Sequence, residues 1–136
     1  MARPLVEVVI NGEKLNAVLD TGAWNSYVRK KFAKEFISLP VTPFKTKLGG
    51  KVLKIKERFA INGIIKDSQD RGYRFAEMLF PVEDLGKENG KPIDVLFGAV
   101  MLEGWGTVID ESTVPPKIDY TRLRKGTLVE LYFGEG

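Results

Sequence analysis

The run Leu5-Val6-Glu7-Val8-Val9-Ile10 is rich in β-favouring residues and stops at Asn11-Gly12. Both residues of that dipeptide tolerate positive φ, so it closes a two-residue hairpin. The same grammar of short alternating runs broken by turn residues continues along the chain, and it predicts an all-β fold built from hairpins. The return strand, Lys14 to Leu19, alternates Leu15, Ala17 and Leu19 and delivers the polar cluster Asp20-Thr21-Gly22-Ala23 at its end. Ser26 to Phe36 fits either a short basic helix or an irregular strand. From Pro43 the pattern returns: Phe44 to Leu48, Gly49-Gly50, then Lys51 to Lys56, with lysine alternating against apolar or Thr residues as in a two-faced ribbon. Two further strands, Arg58 to Lys66 and Tyr73 to Val82, flank the polar turn Asp67 to Gly72. Glu83 to Pro92 is a loop by composition. Ile93 to Phe97 reads as a buried strand, followed by Gly98 and a short helix from Ala99 to about Glu103. Trp105 to Asp110 returns to strand, Pro115-Pro116 breaks the pattern, and Thr127 to Phe133 supplies a last strand.

At 136 residues, with 43% hydrophobic and 29% charged residues, the chain suits one domain over 1–136. The longest apolar run, Val95 to Leu102, is broken by Gly98 and falls far short of the roughly 20 residues of a membrane-spanning helix. No apolar h-region follows Met1, which leaves a cytoplasmic address as the default expectation. The chain has no cysteine and no histidine. Disulfides, thiol nucleophiles, imidazole bases and the usual zinc ligands are thereby excluded, so any acid–base chemistry runs on carboxylates, lysine or tyrosine. No metal and no cofactor is expected. Twenty-one basic against 18 acidic residues is a weak footprint for a nucleic-acid partner.

Two patterns stand in a telling order. Val18-Leu19-Asp20-Thr21-Gly22-Ala23 with Ser26 comes first, and Asp94-Val95-Leu96-Phe97-Gly98 leading into a helix comes well downstream. Asp-Thr-Gly by itself is a common turn, in which Asp bonds a backbone amide and Gly takes positive φ. The whole constellation resembles the retropepsin-like aspartic proteases over residues 3 to 28 and again over 93 to 110. The resemblance implies a closed β-barrel of hairpins with one short helix, one lobe per chain. It also implies peptide-bond hydrolysis, with Asp20, Thr21 and Gly22 catalytic and Ala23 against the substrate. Two carboxyls pressed together cannot both ionise and so share one proton. One then takes a proton from the attacking water while the other hydrogen-bonds the scissile carbonyl.

The chain holds one Asp-Thr-Gly and no Asp-Ser-Gly. A single copy cannot make the pair, so the resemblance implies a homodimer with an Asp20 from each subunit, and a peptide or protein substrate. It implies as well a flap hairpin over the cleft, for which Gly49-Gly50 is preferred as the substrate-facing tip over Asn62-Gly63. Two departures stand out. Ala99 occupies a position where retroviral members often carry Arg or Asn, and Trp24 and Asn25 stand where acidic residues are frequent. A different class of reading takes Lys45, Lys47, Lys51, Lys54 and Lys56, with Phe44 nearby, as a basic platform on a small binding barrel. A third takes the chain as a retropepsin-fold dimerisation module without proteolysis.

Overall fold

The structure, a computed structural model, describes residues 3–125; the strand expected at Thr127 to Phe133 lies outside them. Strands β1 (Leu5–Ile10) and β2 (Glu13–Asp20) form the expected hairpin, with Asn11 at φ 52° and Gly12 at φ 77° in the turn. The Ser26 to Phe36 segment, expected as a short helix or an irregular strand, forms a short strand, β3 (Tyr27–Arg29), and one 3-10 turn over Lys30–Phe32. Next come β4 (Ser38–Leu48), β5 (Lys51–Lys66) and β6 (Gly72–Val82). A small hairpin, β7 (Lys87–Glu88) and β8 (Lys91–Pro92), lies within the stretch expected to be a loop. Then follow β9 (Val95–Gly98), α1 (Ala99–Gly104), β10 (Thr107–Asp110), β11 (Lys117–Tyr120) and α2 (Thr121–Lys125). α1 is the expected short helix, α2 is a further five-residue helix among the described residues, and β11 follows the Pro115-Pro116 break.

Seven strands form one sheet in the order β1-β2-β9-β3-β6-β5-β4, and a further pairing of β1 with β5 closes it. The closure is made at Val8↔Ile65 and Val9↔Ile64, so six strands form the barrel and β4 extends from β5 as the outer arm of a long hairpin. The all-β, closed-barrel expectation holds. The strands expected at Lys51 to Lys56 and Arg58 to Lys66 are one continuous strand, because Glu57 pairs across to Pro40 and does not interrupt the ladder. Asn62-Gly63 is therefore no hairpin tip: Asn62 pairs with Ala76 and Gly63 with Phe75 in mid-strand. Glycine is required there by close approach, since a Cβ would stand 2.5 Å from the Val9 carbonyl oxygen where β1 meets β5.

Alternation along the strands fills the barrel. Val8, Ile10, Leu15, Ala17, Leu19, Ile61, Ile65, Phe75, Leu79, Val95 and Phe97 are buried in one cluster. An aromatic chain carries it outward to the C-terminal elements: Phe75 to Phe97 at 5.6 Å, Phe97 to Trp105 at 4.9 Å, Trp105 to Tyr120 at 6.0 Å. These are edge-on contacts, the arrangement that ring quadrupoles favour. The indole Nε1 of Trp105 donates to Glu77 Oε2 at 2.8 Å, so the ring is buried without orphaning its N–H. A second cluster, Val18, Tyr27, Val82, Ile93 and Leu96, lies on the other face of β2 and β9. With apolar packing on both faces, Ala17-Val18-Leu19 and all four residues of β9 are buried, which matches the continuous apolar run of Val95 to Phe97.

Candidate active site

β9 lies between β2 and β3, parallel to β2 and antiparallel to β3. Its register with β2 runs from Ala17↔Val95 to Asp20↔Gly98, so the two sequence patterns end side by side. The loop from Thr21 to Ser26 must cross over the end of β9 to become β3. Gly98 makes that crossing possible: a Cβ would stand 2.8 Å from the Ala23 carbonyl oxygen and closer still to that of Asn25. Ser26, buried to 5% exposure, accepts a hydrogen bond on Oγ from the Gly98 N–H at 2.9 Å. From the start of α1, the Ala99 N–H donates to the Ala23 carbonyl at 2.7 Å and the Val100 N–H to that of Trp24 at 3.3 Å. The Ala23 and Trp24 carbonyls and the Ser26 hydroxyl thus hold the loop against the end of β9 and the start of α1.

Within the loop, Asp20 Oδ1 accepts the Gly22 N–H at 2.9 Å, and a Cβ on Gly22 would sit 3.2 Å from that same oxygen. The carboxyl is oriented by its own turn. Thr21 and Gly22 are exposed at the tip, Asp20 and Ala23 are half-buried, and Trp24 is 73% exposed. Asp20, Thr21, Gly22 and Ala23 are therefore brought together on one presented edge. Gly49 and Gly50 are the exposed tip of the β4–β5 hairpin, at φ 58° and 80°. Leu48 and Leu53 next to that tip pack on the same apolar cluster as Ala23. The hairpin and the Asp20 loop thus share one wall of the fold.

Two residues that sequence reading passed over complete the site. Arg3 Nη1 donates to Asp20 Oδ2 at 3.0 Å, and its Nε donates to Glu88 Oε1 on β7 at 2.7 Å. Burial alone would lower the hold of the Arg3 guanidinium on its proton, but the bonds to Glu88 and Asp20 outweigh it and keep the group above its ordinary value. The signal for Arg3 was in the turn: Leu5↔Val18, continued two residues, sets Arg3 across from Asp20. Glu88 had no comparable signal, because its strand is two residues long.

The other carboxylates near the strand ends are absorbed by structure. Asp94 Oδ2 accepts the Asn16 N–H at 2.9 Å, and its Oδ1 receives Arg29 Nη1 at 3.4 Å, at the far end of β9 from Asp20. Asp110 is exposed and accepts the Ser112 N–H at 3.0 Å, and its bonds to Ser112 hold it below the usual carboxylate range.

No protein-family profile matches the chain, and no curated protein sequence does. Among solved structures it is similar to the EIAV protease complexed with the inhibitor HBY-793, at 21% identity and a TM-score of 0.49, covering 76% of this chain and 88% of that one. No helix among the described residues is long and apolar enough to cross a membrane.

Proposed function

We propose that this chain is one half of an aspartic endopeptidase in which two copies each supply Asp20 to a shared site. The observation that carries the reading is a carboxyl held by its own loop at the end of β2, half-exposed, with Thr21 and Gly22 presented beside it. A single such loop offers one carboxyl, and the shared-proton route for water attack uses two. A second copy about a two-fold axis supplies it. In that arrangement the exposed Thr21 meets the partner loop, Gly22 lets the substrate backbone approach, Ala23 lines the cleft, and the Gly49-Gly50 hairpin closes over it.

Chemically, one Asp20 removes a proton from water as the oxygen attacks the scissile carbonyl carbon. The protonated partner hydrogen-bonds the carbonyl oxygen, and protonation of the departing amine completes cleavage. The test is cleavage of a peptide library across pH 3 to 7 by the parent and by Asp20→Asn. Cleavage by the parent, favoured at acidic to mildly acidic pH and abolished in Asp20→Asn with the fold retained, supports the reading. Full activity in Asp20→Asn, or dependence on added zinc after chelation, overturns it.

A further inference from the structure

We propose that Arg3 is a latch on Asp20 that the unassembled chain keeps closed and that pairing of two chains must open. The inference rests on the assignment of Asp20 as the shared carboxyl. In the single chain both oxygens of that carboxyl are engaged, Oδ1 by the Gly22 N–H and Oδ2 by the Arg3 guanidinium. The first bond lies within the loop and orients the group. The second occupies the oxygen left over for a water or a second carboxyl.

Arg3 is placed by construction. The Asn11-Gly12 turn sets the register of β1 on β2, and the Leu19 N–H donates to the Pro4 carbonyl at 3.0 Å, which carries the pairing past Leu5. The side chain at position 3 therefore stands opposite position 20 in every folded copy. A lone ion pair at 35% and 20% side-chain exposure would be a weak constraint. Here the guanidinium is held by a second, shorter bond to Glu88, itself only 16% exposed. The β7–β8 hairpin that carries Glu88 folds back from the segment between β6 and β9, so three separate parts of the chain meet at one cation. Two carboxylates around one guanidinium also define how the latch opens. Arg3 can leave Asp20 and keep Glu88, exchanging one charged bond for solvent instead of losing both.

Assembly must break this contact twice per dimer, so the latch opposes pairing. Arg3→Gln and Glu88→Gln should each release it, the first fully and the second by loosening the anchor. Both sites are partly exposed, and thermal unfolding confirms that the variants are folded. Two readouts decide the matter. Carbodiimide-driven coupling of glycine ethyl ester, read by mass spectrometry at low protein concentration, should label Asp20 about threefold or more faster in Arg3→Gln than in the parent. Sedimentation at one fixed pH should show the midpoint of dimer formation falling about tenfold, two ion pairs each contributing a factor of about three.

Unchanged Asp20 labelling overturns the latch whether or not the protein cleaves peptides. A weaker dimer in Arg3→Gln also overturns it, since Arg3 would then support the assembled site. A parent that never dimerises and never cleaves, with Asp20 labelling still accelerated by Arg3→Gln, instead sinks the endopeptidase reading and leaves the contact as an ion pair without that role.

Discussion

At the scale of single residues, Gly98 and Ser26 show why a short apolar-apolar-Gly element accompanies the Asp20 loop. The loop must pass over the end of β9 with its carbonyls turned inward, and Gly98 has no Cβ to collide with them. Gly98→Ala should cost about 2–4 kcal/mol, because backbone and not a flexible side chain would have to move. Gly104→Ala is the matched control: a Cβ there meets nothing within 4 Å, and the substitution should be neutral or slightly stabilising. Chemical denaturation of the two variants measures the contrast, and equal losses would show that the crossing is not tight. Ser26→Ala removes the acceptor of the buried Gly98 N–H and should cost about 1–2 kcal/mol in the same experiment.

At the scale of elements, the β4–β5 hairpin and the barrel strand β5 share one continuous chain segment but have different environments. Its free part carries Lys45, Lys47, Lys51, Lys54 and Lys56, all exposed, with Lys45 directly across from Lys54. Like charges facing each other across a ladder weaken the pair, which keeps this arm less stable than the barrel part of β5. Lys54→Glu should therefore stabilise the hairpin by a few tenths of a kcal/mol, seen as slower amide exchange at Thr46 to Leu53. At the tip, replacing Gly49-Gly50 with Ala-Ala puts two side chains at positive φ, at about 1–2 kcal/mol per residue. The arm can relieve that strain by opening locally at its tip, so if the hairpin closes over substrate, peptide turnover in that variant should fall severalfold while the global unfolding midpoint drops by less than the full strain. Parallel loss of both would place the glycines in folding and not in closure.

At the scale of the whole molecule, the carboxylate that matters for stability is Asp67, in the turn between β5 and β6. Its side chain is fully buried and accepts bonds from the Gln69 and Arg71 N–H groups at 2.9 Å each, from Arg71 Nε at 2.8 Å and from Tyr73 Oη at 2.6 Å. Burial alone would raise it, but the bonds from Tyr73, Arg71 and Gln69 together hold it below the usual carboxylate range. A carboxyl with a folded value below its unfolded one stabilises the fold above the unfolded value, and that contribution is lost as pH falls toward the folded one. The barrel therefore keeps this contribution at pH 5 to 7 and sheds it only below about pH 4. Asp67→Asn should destabilise by about 2–3 kcal/mol at pH 7, with the gap to the parent narrowing in acid. Thermal unfolding at pH 7, 5 and 3 measures it, and a gap that widened in acid would reverse the sign.

Local rules account for the features legible in the residues alone. Asn11-Gly12 has only one good way to turn, so the first hairpin and its register followed from two residues, and that register already carried Arg3 to Asp20. Gly49-Gly50 between alternating runs gave the second hairpin for the same reason, and the buried character of Ile93 to Phe97 was legible in an unbroken apolar run. Closure of the barrel was not legible, because the pairing of Val8 with Ile65 joins segments far apart in the chain and no local preference encodes it. That long-range pairing is why Asn62-Gly63, a turn by composition, lies straight in β5: the ladder to β6 on one side and the approach of β1 on the other outweigh its turn preference. Glu88 entered the site the same way, through a two-residue strand whose place is set by what surrounds it. Turn chemistry and alternation act over a few residues and can be read in order. Sheet closure and ion pairs between distant segments depend on which surfaces meet after the chain has condensed, and no local pattern encodes that meeting.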